Sequence, residues 1–293
     1  MSAGASPRIH PYGDGETMLG FGPSTGPQLL VLQPLFEEMN RTRALIVAIC
    51  RGLSMRGIGC WLPDLPGTGE SIRPLDGLGW RDWRDAVIVA AAAAGVPIGG
   101  TVSFRGGALL DDTIDAPRWR LAPTGGRSLL SDLRRSALAT GSDPTAPAGY
   151  VLSAALTGPL GLAEVAADRA RTLRLASDER AADLRVEGIP VWRRPEPQQD
   201  ARLATSLIDM PDAAAATDTA SRQSRHSSPS SDRTLSPVPG RSGNQQPIPR
   251  IDSPRQIATI SARVRFISSN SGWRISSCGP LAGPKPSIAS PSP

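Results

Sequence analysis

The most informative stretch of the sequence is QLLVLQPLFEEMNRTRALIVAICRGLSMRGIGCWLPDLPGTGESIR, residues 28–73. Its two apolar runs, residues 29–32 and 59–62, have the composition of buried parallel strands. Between them, residues 43–53 carry apolar side chains at helical spacing, with arginines on the opposite face. A glycine-rich loop, residues 64–71, follows the second run, at the edge of a parallel sheet where binding loops collect. This order of segments predicts a βαβ unit.

Two motifs in this stretch resemble a known superfamily. The loop matches, at Asp64, Gly67, Gly69 and Ser71, the Asp-x-x-Gly-x-Gly-x-Ser loop that is common in α/β hydrolases. The segment PLFEEMNRTR, residues 34–43, is more specific. It is similar to a segment of the small hydrolases encoded with the exosortase A system, which bacteria use in protein sorting and exopolysaccharide production. The resemblance covers roughly residues 8–205.

The segment SFRGG, residues 103–107, reads as the turn on which an α/β hydrolase presents its nucleophile. The backbone there is strained, so the residues flanking the tip must be small. Ser103 and Gly107 are the small flanks, which places Arg105 at the tip. A frame with Ser103 at the tip would put Arg105 in a flanking position, where its bulk would clash. An arginine at this turn resembles the type called exosortase A system-associated hydrolase 2.

The residues of a Ser-His-acid triad are not recognisable in the sequence. The Arg105 guanidinium stays protonated, so it cannot act as a nucleophile. A serine hydrolase also needs a histidine base that follows the nucleophile along the chain. The chain has two histidines: His10 precedes the first predicted strand, and His226 lies in a Ser/Pro-rich region. The carboxylates near the end of the domain leave the acid open: Asp178, Asp183, Glu187 and Glu196.

Two classes of function remain open. The chain is either a hydrolase or transferase in which Asp64, Glu37 or Glu38 activates water, or a binding or accessory protein that kept the scaffold without the activity. Arg105 bears on the choice, because a cation at a helix N-terminus requires a neutralising anion. We expect it to pair with one of these carboxylates or to hold a small anionic ligand. The residues expected to contact a ligand are Asn40, Gly67, Gly69, Ser71 and Ser103.

No metal or nucleotide cofactor is expected. The Gly-Thr-Gly segment of the 64–71 loop lacks the further glycine of a dinucleotide loop, and no Gly-Lys-Ser/Thr phosphate loop occurs. The three cysteines, Cys50, Cys60 and Cys278, show neither zinc spacing nor a disulfide pattern.

The net charge differs between residues 213–293 and the rest of the chain. Of 32 basic and 27 acidic residues, ten basic and three acidic ones lie in residues 213–293. The net charge is therefore +7 there and −2 before it, which sums to +5. We expect an N-terminal arm (residues 1–25), an α/β-hydrolase-like domain (26–212) and a disordered Ser/Pro/Arg-rich tail (213–293), or an out-of-frame extension in its place. The tail has few aromatic residues, so we expect no nucleic-acid partner.

The expected localisation and partners rest on the N-terminal residues, the apolar runs and the family resemblance. The first residues lack the pattern of a signal peptide, and the longest apolar run, residues 86–95, is too short to span a bilayer. We expect a cytoplasmic bacterial protein without a membrane span. Its expected partners are a small-molecule or anionic ligand and, from the resemblance, components of the exosortase and exopolysaccharide system.

The predicted fold class is α/β, with a mostly parallel sheet of α/β-hydrolase type in three layers and a disordered C-terminal tail. Strands are predicted near residues 28–33, 58–63, 98–104, 118–122 and 185–192. Helices are predicted near residues 41–55, 81–94, 107–113, 127–139 and 160–178.

Overall fold

The computed structural model describes residues 6–210, except 142, 144 and 145. Within them, eight strands form one sheet: β1 (Arg8–Tyr12), β2 (Glu16–Phe21), β3 (Gln28–Leu32), β4 (Gly59–Pro63), β5 (Gly100–Phe104), β6 (Arg118–Leu121), β7 (Ala170–Leu175) and β8 (Leu184–Val186). The strand order is β1-β2-β4-β3-β5-β6-β7-β8. The first two strands are antiparallel to their neighbours, and all the others pair in parallel. This is the predicted mostly parallel sheet.

Helices cover both faces of the sheet. They are α1 (Glu37–Met55), α2 (Trp80–Ala93), α3 (Gly126–Thr140), α4 (Ala154–Leu162) and α5 (Ala201–Ile208). Side chains alternate along a strand, so Leu29 and Val31 pack with α1 and α5, while Leu30 and Leu32 pack with the other three helices. The result is three layers with an apolar core on each side of the sheet, the α/β-hydrolase type of fold that the sequence predicts.

The N-terminal segment differs from the prediction. Residues 8–21 lie in the expected arm, but they form β1 and β2, an antiparallel hairpin that extends the sheet. Gly13 and Gly15 have positive φ angles in its turn, a conformation that glycine adopts without strain. His10 therefore lies within the first strand and does not precede it.

Two further predictions are wrong in type, and a third is wrong in length. Residues 160–178 are not one helix: α4 ends at Leu162, and β7 follows from Ala170. In β7, buried Leu173 and Leu175 alternate with less buried residues, which is the period of a strand. Residues 107–113 form two short 3₁₀ turns instead of a helix. The last strand covers only residues 184–186, and a 3₁₀ turn follows at residues 191–193.

The predicted tail, residues 213–293, lies outside the described residues. In the part of the chain that is described, no helix is both long and apolar enough to cross a membrane.

Candidate functional site

The turn after β5 has the geometry of a nucleophile elbow with Arg105 at its tip. Arg105 has a φ of 53°, in the left-handed region, which costs an arginine about 1–3 kcal/mol. Gly107 is the small flank that the turn requires. A Cβ there would lie 2.5 Å from the Gln33 carbonyl oxygen and 2.6 Å from that of Leu32. Any larger residue at position 107 would collide with the backbone that follows β3.

The Arg105 side chain is enclosed and neutralised. Arg105 as a whole is only 5% exposed. The Nε donates to both carboxylate oxygens of Glu38 at 3.1 Å, and Nη2 donates to Oε1 at 2.9 Å. The Nη1 donates to the Ala122 carbonyl at 3.1 Å, and the Trp192 ring lies 5.4 Å from the guanidinium carbon. Of the two expectations for Arg105, the pairing with a carboxylate is therefore the one observed.

Asp64 belongs to a different ionic centre. Its carboxylate forms an ion pair with Arg43, in which Nη2 lies 3.1 Å from Oδ2. It also accepts from Gln33 Nε2 at 2.9 Å and from the Glu70 backbone N–H at 3.3 Å. Asp64 is only 3% exposed, so its carboxylate is bound by groups of the protein and is not open to a ligand. The carboxylate that neutralises Arg105 is Glu38, not Asp64.

The Asp64–Ser71 motif stabilises its own loop. Gly67 and Gly69 have φ angles of 73° and 56°, and a Cβ on Gly69 would overlap the Asp64 carboxylate. The Ser71 hydroxyl accepts from the Gly67 N–H at 2.8 Å and donates to Glu16 Oε1 at 3.0 Å. These contacts hold the loop closed through its own residues and β2.

Glu37 is the predicted carboxylate that stays without a buried cation partner. Its Oε1 atom is buried and has no hydrogen-bond partner within the described structure. Burial raises the pKa of Glu37, and nearby Arg41 opposes this only in part. A cavity of about 60 Å³ adjoins Glu37, Glu38 and Asp132, and it is large enough for water. Asn40, which follows on α1, is exposed.

A second buried ionic cluster was not predicted. Asp111 is fully buried and accepts from Arg120 at 2.8 and 2.6 Å, and from Ser103 Oγ at 2.7 Å. Arg118, on the same strand β6, donates to the Asp111 backbone carbonyl at 3.1 Å and to Asp168 Oδ2 at 3.0 Å. The signal was present in the sequence RWRL of β6, because two arginines on one face of a buried strand require a carboxylate. Ser103 is thus fully buried beneath the elbow.

No histidine of the described region lies near Arg105. His10 is in β1, and its ring makes an edge contact with Trp61 at 4.9 Å between centroids. Four strand spacings, roughly 19 Å, separate β1 from β5. His226 lies outside the described residues. Over the same residues, no group of three or more potential metal ligands is present.

Comparisons with known proteins concern the course of the backbone alone. No protein-family model matches the sequence, and neither does any curated protein. A proposed hydrolase from Agrobacterium vitis S4 is similar at 13% identity and a TM-score of 0.45, over 71% of this chain and 97% of that one. The bottromycin epimerase BotH is similar at 14% identity and a TM-score of 0.40, over 73% of this chain and 99% of that one. Est1E from Butyrivibrio proteoclasticus is similar at 15% identity and a TM-score of 0.39, over 55% of this chain and 75% of that one.

Proposed function

We propose that this chain is a non-catalytic protein on an α/β-hydrolase scaffold, with a binding or accessory role. The observation that carries the proposal is the closed pair of Arg105 and Glu38 at the elbow tip, covered by Trp192. A hydrolase of this fold needs an exposed nucleophile at that point and a base beside it. Here the tip holds a cation whose hydrogen bonds are already used.

The resemblance of residues 34–43 supports a role in the exosortase A and exopolysaccharide system, with components of that system as partners in the cytoplasm. This segment supplies the counter-ions of both ionic centres at the sheet edge. Glu38 pairs with Arg105, and Arg43 pairs with Asp64. The part of the sequence most typical of the exosortase-associated proteins is thus the part that closes the elbow.

The test is an activity screen on the purified full chain. We expect no hydrolysis of short-chain aryl esters above buffer and no adduct with a fluorophosphonate probe, because the tip is the protonated Arg105 and the Ser103 hydroxyl is fully buried and donates to Asp111. An authentic serine esterase is the positive control. Probe labelling that disappears in Ser103→Ala would refute the proposal, since it would show that Ser103 reacts.

A second function, hydrolysis by activated water, is favoured by one observation. Glu37 combines a raised pKa and an unpartnered buried oxygen with a cavity that can hold water. Glu38 and Asp64 are bound to arginines, so Glu37 would be the base. Turnover without probe labelling that falls at least about 100-fold in Glu37→Gln would favour this function. We expect no such turnover.

A further inference from the structure

A cleft of about 370 Å³ opens where β7 and β8 end. Residues 177–180, which follow β7, line one side, and Pro190, Trp192 and Arg193, which follow β8, line the other. Leu175, the last residue of β7, also contributes. The cleft lies at the carboxyl edge of parallel strands, where α/β sheets bind ligands, and its volume is within the range of small-molecule sites.

Arginines bind residues 178–180, which line one side of the cleft. The Asp178 carboxylate is already shared by two arginines, with Arg180 Nη2 at 2.7 Å and Arg174 Nη1 at 3.2 Å from Oδ2. The hydrogen bonds from Arg180 hold the pKa of Asp178 well below its usual range, although partial burial opposes this. Glu179 is the other carboxylate in the lining. The lining holds two arginines, Arg180 and Arg193, and two carboxylates, Asp178 and Glu179. Outside the lining, Arg174 binds the Asp178 carboxylate and Arg185 binds the backbone carbonyls of residues 178–180.

Arg193 is the arginine of this cleft that is open to a ligand. The residue is exposed, and its guanidinium donates to no acceptor in the described parts of the chain. Arg105, in contrast, is buried, and Glu38, the Ala122 carbonyl and Trp192 enclose its guanidinium. Trp192 contributes to both places, since its ring lies over Arg105 and also lines the cleft.

We propose that this cleft binds a small molecule that carries a carboxylate or phosphate group on an apolar body. Arg193 pairs with the anionic group, as guanidinium groups do with both kinds of anion. Leu175, Pro190 and Trp192 contact the apolar part. The proposal rests on the binding role proposed above and adds a ligand class to it; the cleft adjoins the elbow through Trp192, but Arg105 is not among its lining residues.

Calorimetry on the full chain tests the proposal with three probes of one shape: phenyl phosphate, benzoate and neutral benzyl alcohol. We expect at least one of the two anions to bind about tenfold more tightly than the alcohol. Arg193→Gln should weaken that binding about tenfold. Arg194→Gln is the matched control, because Arg194 is also exposed but does not line the cleft, and it should change binding less than about twofold.

Three results would overturn the proposal. They are no anion binding up to about 10 mM, equal binding of benzyl alcohol, and equal losses in the two variants, which would mean general attraction to a basic surface. The unfolding midpoint of Arg193→Gln should match that of the wild type, so a loss of binding cannot be a loss of fold. Release of phenol from phenyl phosphate would refute the non-catalytic function while leaving the cleft as the binding site.

Discussion

Arg105 and Arg120 are both buried arginines, but the carboxylates that neutralise them differ in exposure and in their other partners. Arg105 lies at the elbow tip, where Glu38, with a 14% exposed side chain, is its only carboxylate partner within the described residues. Arg120 lies in β6 against Asp111, which is 0% exposed and bound by Ser103 as well. Both arginines are neutralised from within the protein. An arginine at a position of functional interest is therefore not by itself a sign of a bound ligand.

The two regions should differ in energetic cost when the carboxylate is removed. A buried ion pair contributes little net stability, but loss of one partner leaves an uncompensated charge. Around Asp111, the 2% exposed side chain of Arg120 would lose its carboxylate partner, while Arg118 would lose a 3.7 Å ion pair and keep Asp168. At the elbow, Arg105 would keep the Ala122 carbonyl and the Trp192 ring. The difference can be measured by single substitutions.

The largest effect is expected for Asp111→Ala. It leaves Arg120 buried without a carboxylate and removes the weaker ion pair with Arg118, so the free energy of unfolding should fall by about 3–5 kcal/mol. Urea denaturation measures this. Asp112→Ala is the matched control: Asp112 pairs with Arg84, both side chains are about one-third exposed, and the loss should be at most about 1 kcal/mol. Equal losses in the two variants would contradict the importance of the buried cluster.

Glu38→Gln should have the next largest effect. It removes the charge that neutralises Arg105, and we expect a loss of about 2–3 kcal/mol, below that of Asp111→Ala, because Glu38 is 14% exposed and a glutamine amide oxygen can still accept a hydrogen bond from Arg105. Glu37→Gln is the neighbouring control, and it should change stability at neutral pH by less than about 1 kcal/mol. A loss at Glu38 that equals or exceeds that of Asp111→Ala would show that the elbow pair is as tightly coupled as the strand cluster.

The parts of the molecule that depend on local pattern were predictable. The central unit, β3, α1 and β4, follows from apolar runs and helical spacing, and the tip at Arg105 follows from the small residues beside it. In the Asp111 cluster, Ser103 and Arg120 lie only 8 and 9 positions from Asp111, but the turns between them bring the groups together, and Arg118 reaches Asp168, 50 positions away. Sequence spacing could not show which carboxylate is the partner. The β7 strand was mistaken for a helix because scattered arginines obscured its alternation.

A smaller effect is expected at Trp192. Trp192→Phe keeps an aromatic ring but weakens the attraction between the ring and the Arg105 guanidinium, so the loss should be about 1 kcal/mol. The same substitution in an Arg105→Met background should cost less, by a coupling energy of about 0.5–1 kcal/mol in a double-mutant cycle. Additive losses would mean that Trp192 contributes by packing in the core alone, without an interaction with the charge.

The smallest effect, a change with pH, concerns Glu37. Burial raises its folded pKa above the ordinary value of 4.5. The protonated form is therefore favoured by folding, and this contribution is present below about pH 4.5 and is lost as the pH rises through the folded pKa. Glu37→Gln does not titrate. Its stability relative to the wild type should therefore increase across that window and stay constant above it, by less than about 1 kcal/mol because the group is partly exposed.

Asp168→Asn provides a control of opposite sign for the Glu37 titration. The hydrogen bond from Arg118 lowers the pKa of Asp168 from 3.8, so its contribution is present above that pH and is lost as the pH falls through the folded value. The free energy of unfolding of the wild type minus that of Asp168→Asn should therefore fall as the pH falls below 3.8, whereas the wild type minus Glu37→Gln should rise as the pH falls toward 4.5. Urea titrations at several pH values would measure both. Parallel curves for the wild type and Glu37→Gln would show that the Glu37 carboxylate is fully hydrated, and the proposed water-activating role would lose its basis.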